Sequence, residues 1–185
     1  MQVLICIDDT DNLNSPGTGK LAAKIEQAIE ELGWGECFWG ITRHQLFVPP
    51  DIPYTSHNSS MCFTAEIEEQ YLNRLIEYAA DFLKRESAEG SDPGLCVAVL
   101  DRLKRPDQLI DFGMRAKEEV LTMAEAYALA QELGIHLSEH GGPGQGVVGA
   151  LAGIGLRLSG NDGRFRGKLQ LGAVDQVIRV RDACA

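Results

Sequence analysis

The sequence predicts an α/β domain, with a mixed β-sheet, flanking helices and a C-terminal β-hairpin. Three observations predict it. Short apolar, β-rich runs alternate with longer stretches of helical spacing. Breakers, chiefly Gly, Pro, Asn and Asp, fall between the runs. The first run, MQVLICI, feeds directly into the acidic, glycine-bearing loop DDTDNLNSPGTGK, and in open α/β sheets ligand chemistry gathers at strand ends.

Taken in order, residues 2–7 read as a buried strand. Lys20 to Leu32 carries Leu21, Ala22, Ile25, Ala28, Ile29 and Leu32 at helical spacing, and Gly33 ends it. Residues 37–47 have strand character, broken by Pro49 and Pro50. A polar loop, DIPYTSHNSS, precedes a strand at 61–67, and a helix spans about 68–84. Ser91-Asp92-Pro93-Gly94 reads as a turn before the strand LCVAVL at 95–100. Helical pattern returns over 106–133 in two pieces, with Arg115 and Glu125 as surface charges. A short strand at 135–137 leads to GGPGQGVVGALAGIG, and residues 156–171 read as a β-hairpin turning at Asn161, Asp162 and Gly163.

At 185 residues, 44% hydrophobic and 24% charged, the chain fits one domain with a real core. The start lacks a basic leader and runs straight into Asp8 and Asp9, and no apolar run approaches the ~20 residues of a membrane span. The expectation is a cytoplasmic protein with no membrane partner. Five cysteines, an odd number without a C-x-x-C pair, speak against a zinc or disulfide framework. A net charge of −10 argues against autonomous nucleic-acid binding, which requires Lys and Arg to displace counterions; RNA contact needs a local basic patch or a partner chain.

The first loop holds the densest chemistry. SPGTGK imitates a phosphate-binding loop ending at Gly19 and Lys20, but its first glycine position is Asn14 and its magnesium-binding hydroxyl position is Leu21. What survives is close backbone approach at Gly17 and Gly19, free N–H groups at a helix start, and Thr18 and Lys20 as hydroxyl and cation. Asp8, Asp9 and Asp11 lie at the strand end; in an extended chain Asp9 and Asp11 share one face. Two carboxylates ~4 Å apart repel by about 4 kcal/mol at an effective dielectric of about 20. A cation, usually magnesium carrying a nucleotide phosphate, offsets such repulsion. The alternative is that Asp and Asn cap the helix and build turns. A haloacid-dehalogenase-type site fits Asp9-Thr10-Asp11, but Leu13 stands where it needs Thr or Val, and no late acidic pair follows.

Two further constellations stand out. Thr42, Arg43, His44 and Gln45, with Tyr54, Thr55, Ser56, His57, Asn58 and Ser59, suit an anion or sugar site, or alternatively a hydrogen-bonded surface loop. Gly144-x-Gly146-x-x-Gly149 formally matches the dinucleotide fingerprint but lacks the acidic residue ~20 positions on. It reads as a second phosphate cradle opening an apolar helix, with Ala150, Ala152 and Gly153 giving close helix packing.

IDDTD at a strand end, then a Thr loop and a helix, resembles the amino-terminal domain of the archaeal agmatinylcytidine synthetases, which modify the wobble cytidine of an isoleucine tRNA. The resemblance continues through the Arg43 strand, the Pro53-Tyr54 loop, SDPG, and GQGVVGALAGIG. It implies a single kinase-like nucleotide-binding domain over 1–185, using ATP and Mg2+ for phosphoryl or nucleotidyl transfer or ATP hydrolysis. By the resemblance, Asp8, Asp9 and Asp11 hold magnesium and phosphates, Thr18 lies at the transfer centre, and Arg43 with Gly144, Gly146 and Gly149 lines the nucleotide site. Two motifs depart from the family's: C-T-T-Y is here Gly17-Thr18-Gly19-Lys20, and Y-K-T-R is Tyr54-Thr55-Ser56-His57. The RNA-gripping domains of that family have no room in 185 residues. Expected partners are therefore ATP and a small-molecule or RNA acceptor, with a second copy of the chain or a separate RNA-binding chain. A non-catalytic nucleotide- or metabolite-binding module is the alternative reading.

Overall fold

β1 (Gln2–Asp8), β3 (Ser59–Ile67) and β4 (Gly94–Val99) are the buried centre of a six-stranded sheet in the order β5-β4-β1-β3-β2-β6. The computed structural model describes residues 1–48, 58–166 and 177. β2 (Gly35–Gln45), β5 (His136–Glu139) and β6 (Arg164–Phe165) complete the sheet.

The α/β character is as expected, yet every pairing is antiparallel. β1 and β2 run the same way, joined through α1 (Thr18–Glu31), but β3 inserts between them. β3 and β4, joined through α2 (Leu72–Glu86), are likewise parted by β1. Two interleaved split βαβ units thus leave no parallel neighbours.

Because β1 is covered on both faces, it reads as a continuous apolar run. Val3, Ile5 and Ile7 join the core under α1 and α2, while Leu4 and Cys6 join the core on the opposite face. That face carries α3 (Pro106–Arg115), α4 (Met123–Leu133) and α5 (Gly146–Ser159). Cys62, Cys6 and Cys96 stand in register across β3, β1 and β4, all fully buried. Their small side chains let α5 approach closely: a Cβ on Gly153 would stand 2.4 Å from the Cys6 sulfur.

The expected hairpin over 156–171 is not formed. Leu156 to Ser159 complete α5, where Leu156 is buried against the core, and Gly160 ends the helix with φ 70°. The turn at Asn161, Asp162 and Gly163 leads into β6, which pairs with β2; residues 167–171 lie outside the described residues. Glu125, expected as a surface charge, closes a capping box with Thr122 at the start of α4. Among the described residues no helix is long and apolar enough to cross a membrane.

Candidate functional site

β1 delivers Asp8 to the sheet's end, where the chain turns sharply: Asp9 has φ 49°, a left-handed conformation that asparagine and aspartate tolerate better than most residues. The loop is then organised by its other polar residues. Asn14 N–H donates to Asn12 Oδ1 at 3.0 Å, and Asn12 N–H to Ser15 Oγ at 2.8 Å. Asn12 and Ser15 thus perform the turn-building role, and no side chain caps the N-terminus of α1. The three aspartates are left for other work.

Thr18, the first residue of α1 and buried, donates its hydroxyl to Asp11 Oδ1 at 3.1 Å; Thr10 Oγ1 donates to Thr18 Oγ1 at 3.1 Å. A hydroxyl aimed at a carboxylate is polarised toward nucleophilic or phosphate-binding use. Burial first, and the neighbouring Asp9 charge second, push the Asp8 carboxyl up to about 8. Burial, then the charges of Asp92 and Asp11, push Asp9 up to about 6.

The second glycine segment closes on the same place. Gly149, one turn into α5, leaves room where a Cβ would stand 1.7 Å from Asp8 Oδ2. α5 has no cap from its own N-cap side chain, but its opening N–H groups go to Asp92 and to the Gly144 carbonyl. α1, uncapped by any side chain, turns the positive end of its dipole this way. A cleft of about 150 Å³ is lined by Asp8, Asp9, Asp11, Thr18, Gln145, Gly146 and Gly149 on its polar side. Leu46, Phe47, Val120 and Leu121 supply an apolar side, and Asn58 and Ser59 join the wall.

The other expected residues fall around this centre. Arg43 donates to Ser59 Oγ at 2.9 Å, one step behind the wall. Gly17 packs beside Asp11, Gly19 follows Thr18 into α1, and Lys20 is exposed on its first turn. Gly144 is buried with φ 86°, under Glu139. Asn58 braces the cleft by donating to the Phe47 carbonyl at 2.7 Å.

His44 is elsewhere. It is fully buried, its Nδ1 2.9 Å from Asp162 Oδ1 and its Nε2 2.8 Å from Thr42 Oγ1. Burial pushes its pKa below the usual histidine value, while its Nδ1–H donates to Asp162; the Thr42 hydroxyl beside Nε2 also donates to the Cys62 carbonyl at 3.1 Å. Lys117 holds the other oxygen of Asp162, so the set ties the 160–163 turn to the sheet. Tyr54, Ser56 and His57 lie outside the described residues.

Sequence reasoning missed the apolar wall, which comes from two separate segments, and Asp92, which it took for part of a turn. Asp92 carries a negative charge to within reach of Asp9.

A hard divalent cation fits the chemistry of this donor set: carboxyls pushed upward first by burial and then by one another's charge, with no cationic partner among the described residues. Among the described residues, however, no three His, Cys, Asp or Glu side chains form a ready ligand set. A magnesium ion retains several waters and needs only one or two protein carboxylates.

No family model matches the chain. It is 31% identical over 163 residues to the tRNA 2-agmatinylcytidine synthetase of Pyrococcus horikoshii, covering 86% of this chain and 37% of that enzyme. It is 29% identical over 156 residues to an uncharacterized protein of Methanocaldococcus jannaschii, covering 84% of this chain and 50% of the other. Among solved structures, the complex of the synthetase with its tRNA and ATP aligns with a TM-score of 0.73 at 25% identity, over 84% of this chain and 36% of that one. A crystal structure described as a tRNA fluorescent labeling enzyme aligns with a TM-score of 0.71 at 26% identity, over the same 84% and 36%. The chain is homologous to the synthetase and spans little more than a third of its length.

Proposed function

We propose that this chain, homologous over most of its length to the tRNA agmatinylcytidine synthetase, is an ATP-using domain that transfers a phosphoryl or nucleotidyl group to an RNA or small-molecule acceptor. One observation carries the reading: three aspartates, Thr18 at the uncapped start of α1, and the first residues of α5 line a single cleft with an apolar wall. The N–H groups at the start of α1 would take phosphate oxygens, the glycine-lined start of α5 would let them approach closely, and the base would pack on Phe47, Val120 and Leu121. Arg43 and Lys20 would supply positive charge, and Asp8, Asp9 and Asp11 would hold magnesium. Magnesium, when bound, neutralises phosphate charge. The chain's own contribution is positioning and preorganised charge.

Thermal stability with ATP, Mg2+, both or neither tests it. A ligand at ~100 times its Kd adds about 2.7 kcal/mol, so the two together should raise the Tm clearly and Asp9→Asn should abolish the rise with the fold intact. A shift without turnover toward any acceptor would leave the non-catalytic binding module. Absence of any shift, or an unchanged shift in Asp9→Asn, would end the reading.

A surface feature favours RNA as the acceptor. At the β2–β6 edge Trp39 is 68% and Phe165 65% exposed. The Phe38 and Trp39 rings meet edge-on at 5.2 Å, and the Arg157 guanidinium lies 5.4 Å over Phe165. Trp39 takes φ 63° where the β2–β3 register shifts, a strained backbone that turns the indole outward. Arg43 stands opposite Arg164 in the β2–β6 register, a like-charge pair that an anion would relieve. This is the local basic patch that the acidic net charge had made a precondition. Base–aromatic stacking contributes roughly 1–3 kcal/mol per base, so Trp39→Ala should weaken binding of single-stranded RNA about fivefold or more at low salt. Equal binding by both proteins, read by fluorescence anisotropy, would remove RNA from this edge.

A further inference from the structure

We infer that Asp92 is a positioning residue, whose carboxylate clamps the glycine loop 141–146 onto the acid loop at the end of β1. The turn before β4 is where the two loops meet. The Asp92 side chain is 8% exposed, and its Oδ2 accepts from the Gln145 N–H at 3.3 Å. Its carbonyl accepts from the Gly146 N–H at 3.1 Å, and Asp92 lies near enough to Asp9 for its charge to raise the Asp9 carboxyl. One residue therefore holds the first residues of α5 beside the second aspartate of the acid loop.

The packing leaves no slack around it. A Cβ on Gly146 would stand 2.1 Å from the Asp92 carbonyl oxygen and 3.1 Å from that of Asp8. Gly142, with φ 53°, lies directly over Asp92, where a Cβ would stand 1.6 Å from Oδ1. That oxygen is buried and has no hydrogen-bond partner among the described residues. Capping a helix start needs one acceptor, and serine or asparagine supplies it without burying an unpaired carboxylate oxygen next to the Asp9 carboxylate. A clamp that holds the opening residues of α5 against the acid loop, so that a phosphate-bearing ligand can meet both, accounts for the buried acceptor.

The positioning role rests on the nucleotide reading above; the clamp itself does not, and two measurements separate them. In the ligand-free protein, residue-resolved amide exchange should quicken at least tenfold at Gln145 and Gly146 in Asp92→Ala, with other core amides unchanged. Calorimetric titration with Mg-ATP should show Kd raised at least tenfold in Asp92→Ala. Asp92→Asn, which keeps an oxygen for the Gln145 N–H, should recover most of that loss. Gly142→Ala leaves Asp92 in place but lifts the loop from it, and should reproduce both effects if Asp92→Ala fails to fold. Unchanged exchange overturns the clamp. Faster exchange with an unchanged Kd overturns the positioning role. A wild-type protein that binds no Mg-ATP yet shows the exchange effect overturns the nucleotide reading and upholds the clamp.

Discussion

Asp8→Asn is expected to stabilise the metal-free protein at pH 8 and to leave it little changed at pH 4. Folding takes the Asp8 carboxyl from its ordinary 3.8 up to about 8, first by burial and then by the charge of Asp9. Between those values the folded chain keeps a proton that the unfolded chain has released. The unfolded state therefore binds fewer protons, and stability falls as pH rises through this window. Below about pH 4 the contribution vanishes; above about 8 the whole cost is present. Asp9, pushed to about 6, adds a fall of the same sign over the lower half. The Asp8 share alone is on the order of 5 kcal/mol. Asparagine cannot ionise, so the variant should lose most of this slope and, with it, any stabilisation by Mg-ATP. Urea denaturation with a chelator at both pH values reads it; parallel stability curves for variant and wild type would sink the account.

Gly155→Ala should destabilise the fold severely, although alanine normally favours a helix over glycine by about 1 kcal/mol. A Cβ at Gly155 would stand 1.8 Å from the backbone carbonyl oxygen of Leu109 in α3, an obstacle no rotamer change can move. Gly113 of α3 meets α5 from the other side, where a Cβ would stand 2.8 Å from the Ala152 oxygen. The two helices cross on glycine. Overpacking a core by ordinary side chains costs roughly 1–3 kcal/mol, and a backbone collision belongs at or beyond the top of that range. A chemical-denaturation midpoint equal to wild type would mean the crossing has slack. Because α5 also carries Gly149 over Asp8, a displaced helix should weaken nucleotide binding as well.

Strand and helix periods were legible along most of the chain because burial on one or both faces writes itself into residue order. Residues 2–7 and 95–100 read as strands, and they form β1 and, as far as Val99, β4; the spacing of Leu21, Ile25 and Ile29 places α1 on the sheet. The hairpin expected over 156–171 failed for a physical reason. Leu156, Arg157 and Leu158 alternate as a strand would, but Leu156 is buried on a helix already stabilised by its packing against α3 and the sheet. His44 looked like a ligand-binding side chain beside Arg43, yet adjacent residues of a strand face opposite ways. His44 turns inward to Asp162, 118 positions later.

By itself the sequence determined the layers, the acid loop, the glycine loop and their attachment to strand and helix starts. Each of these is local chemistry: an apolar period, a run of aspartates, glycines where the backbone must pass closely. Only the tertiary structure decided which segments share a wall. The split βαβ order makes every neighbour antiparallel and brings α5 across the end of β1. That crossing sets Gly149 over Asp8 and Asp92 against Asp9, and it gathers Phe47, Val120 and Leu121 into one apolar face. Residue order cannot announce such meetings, since they depend on segments approaching across more than 70 positions of chain.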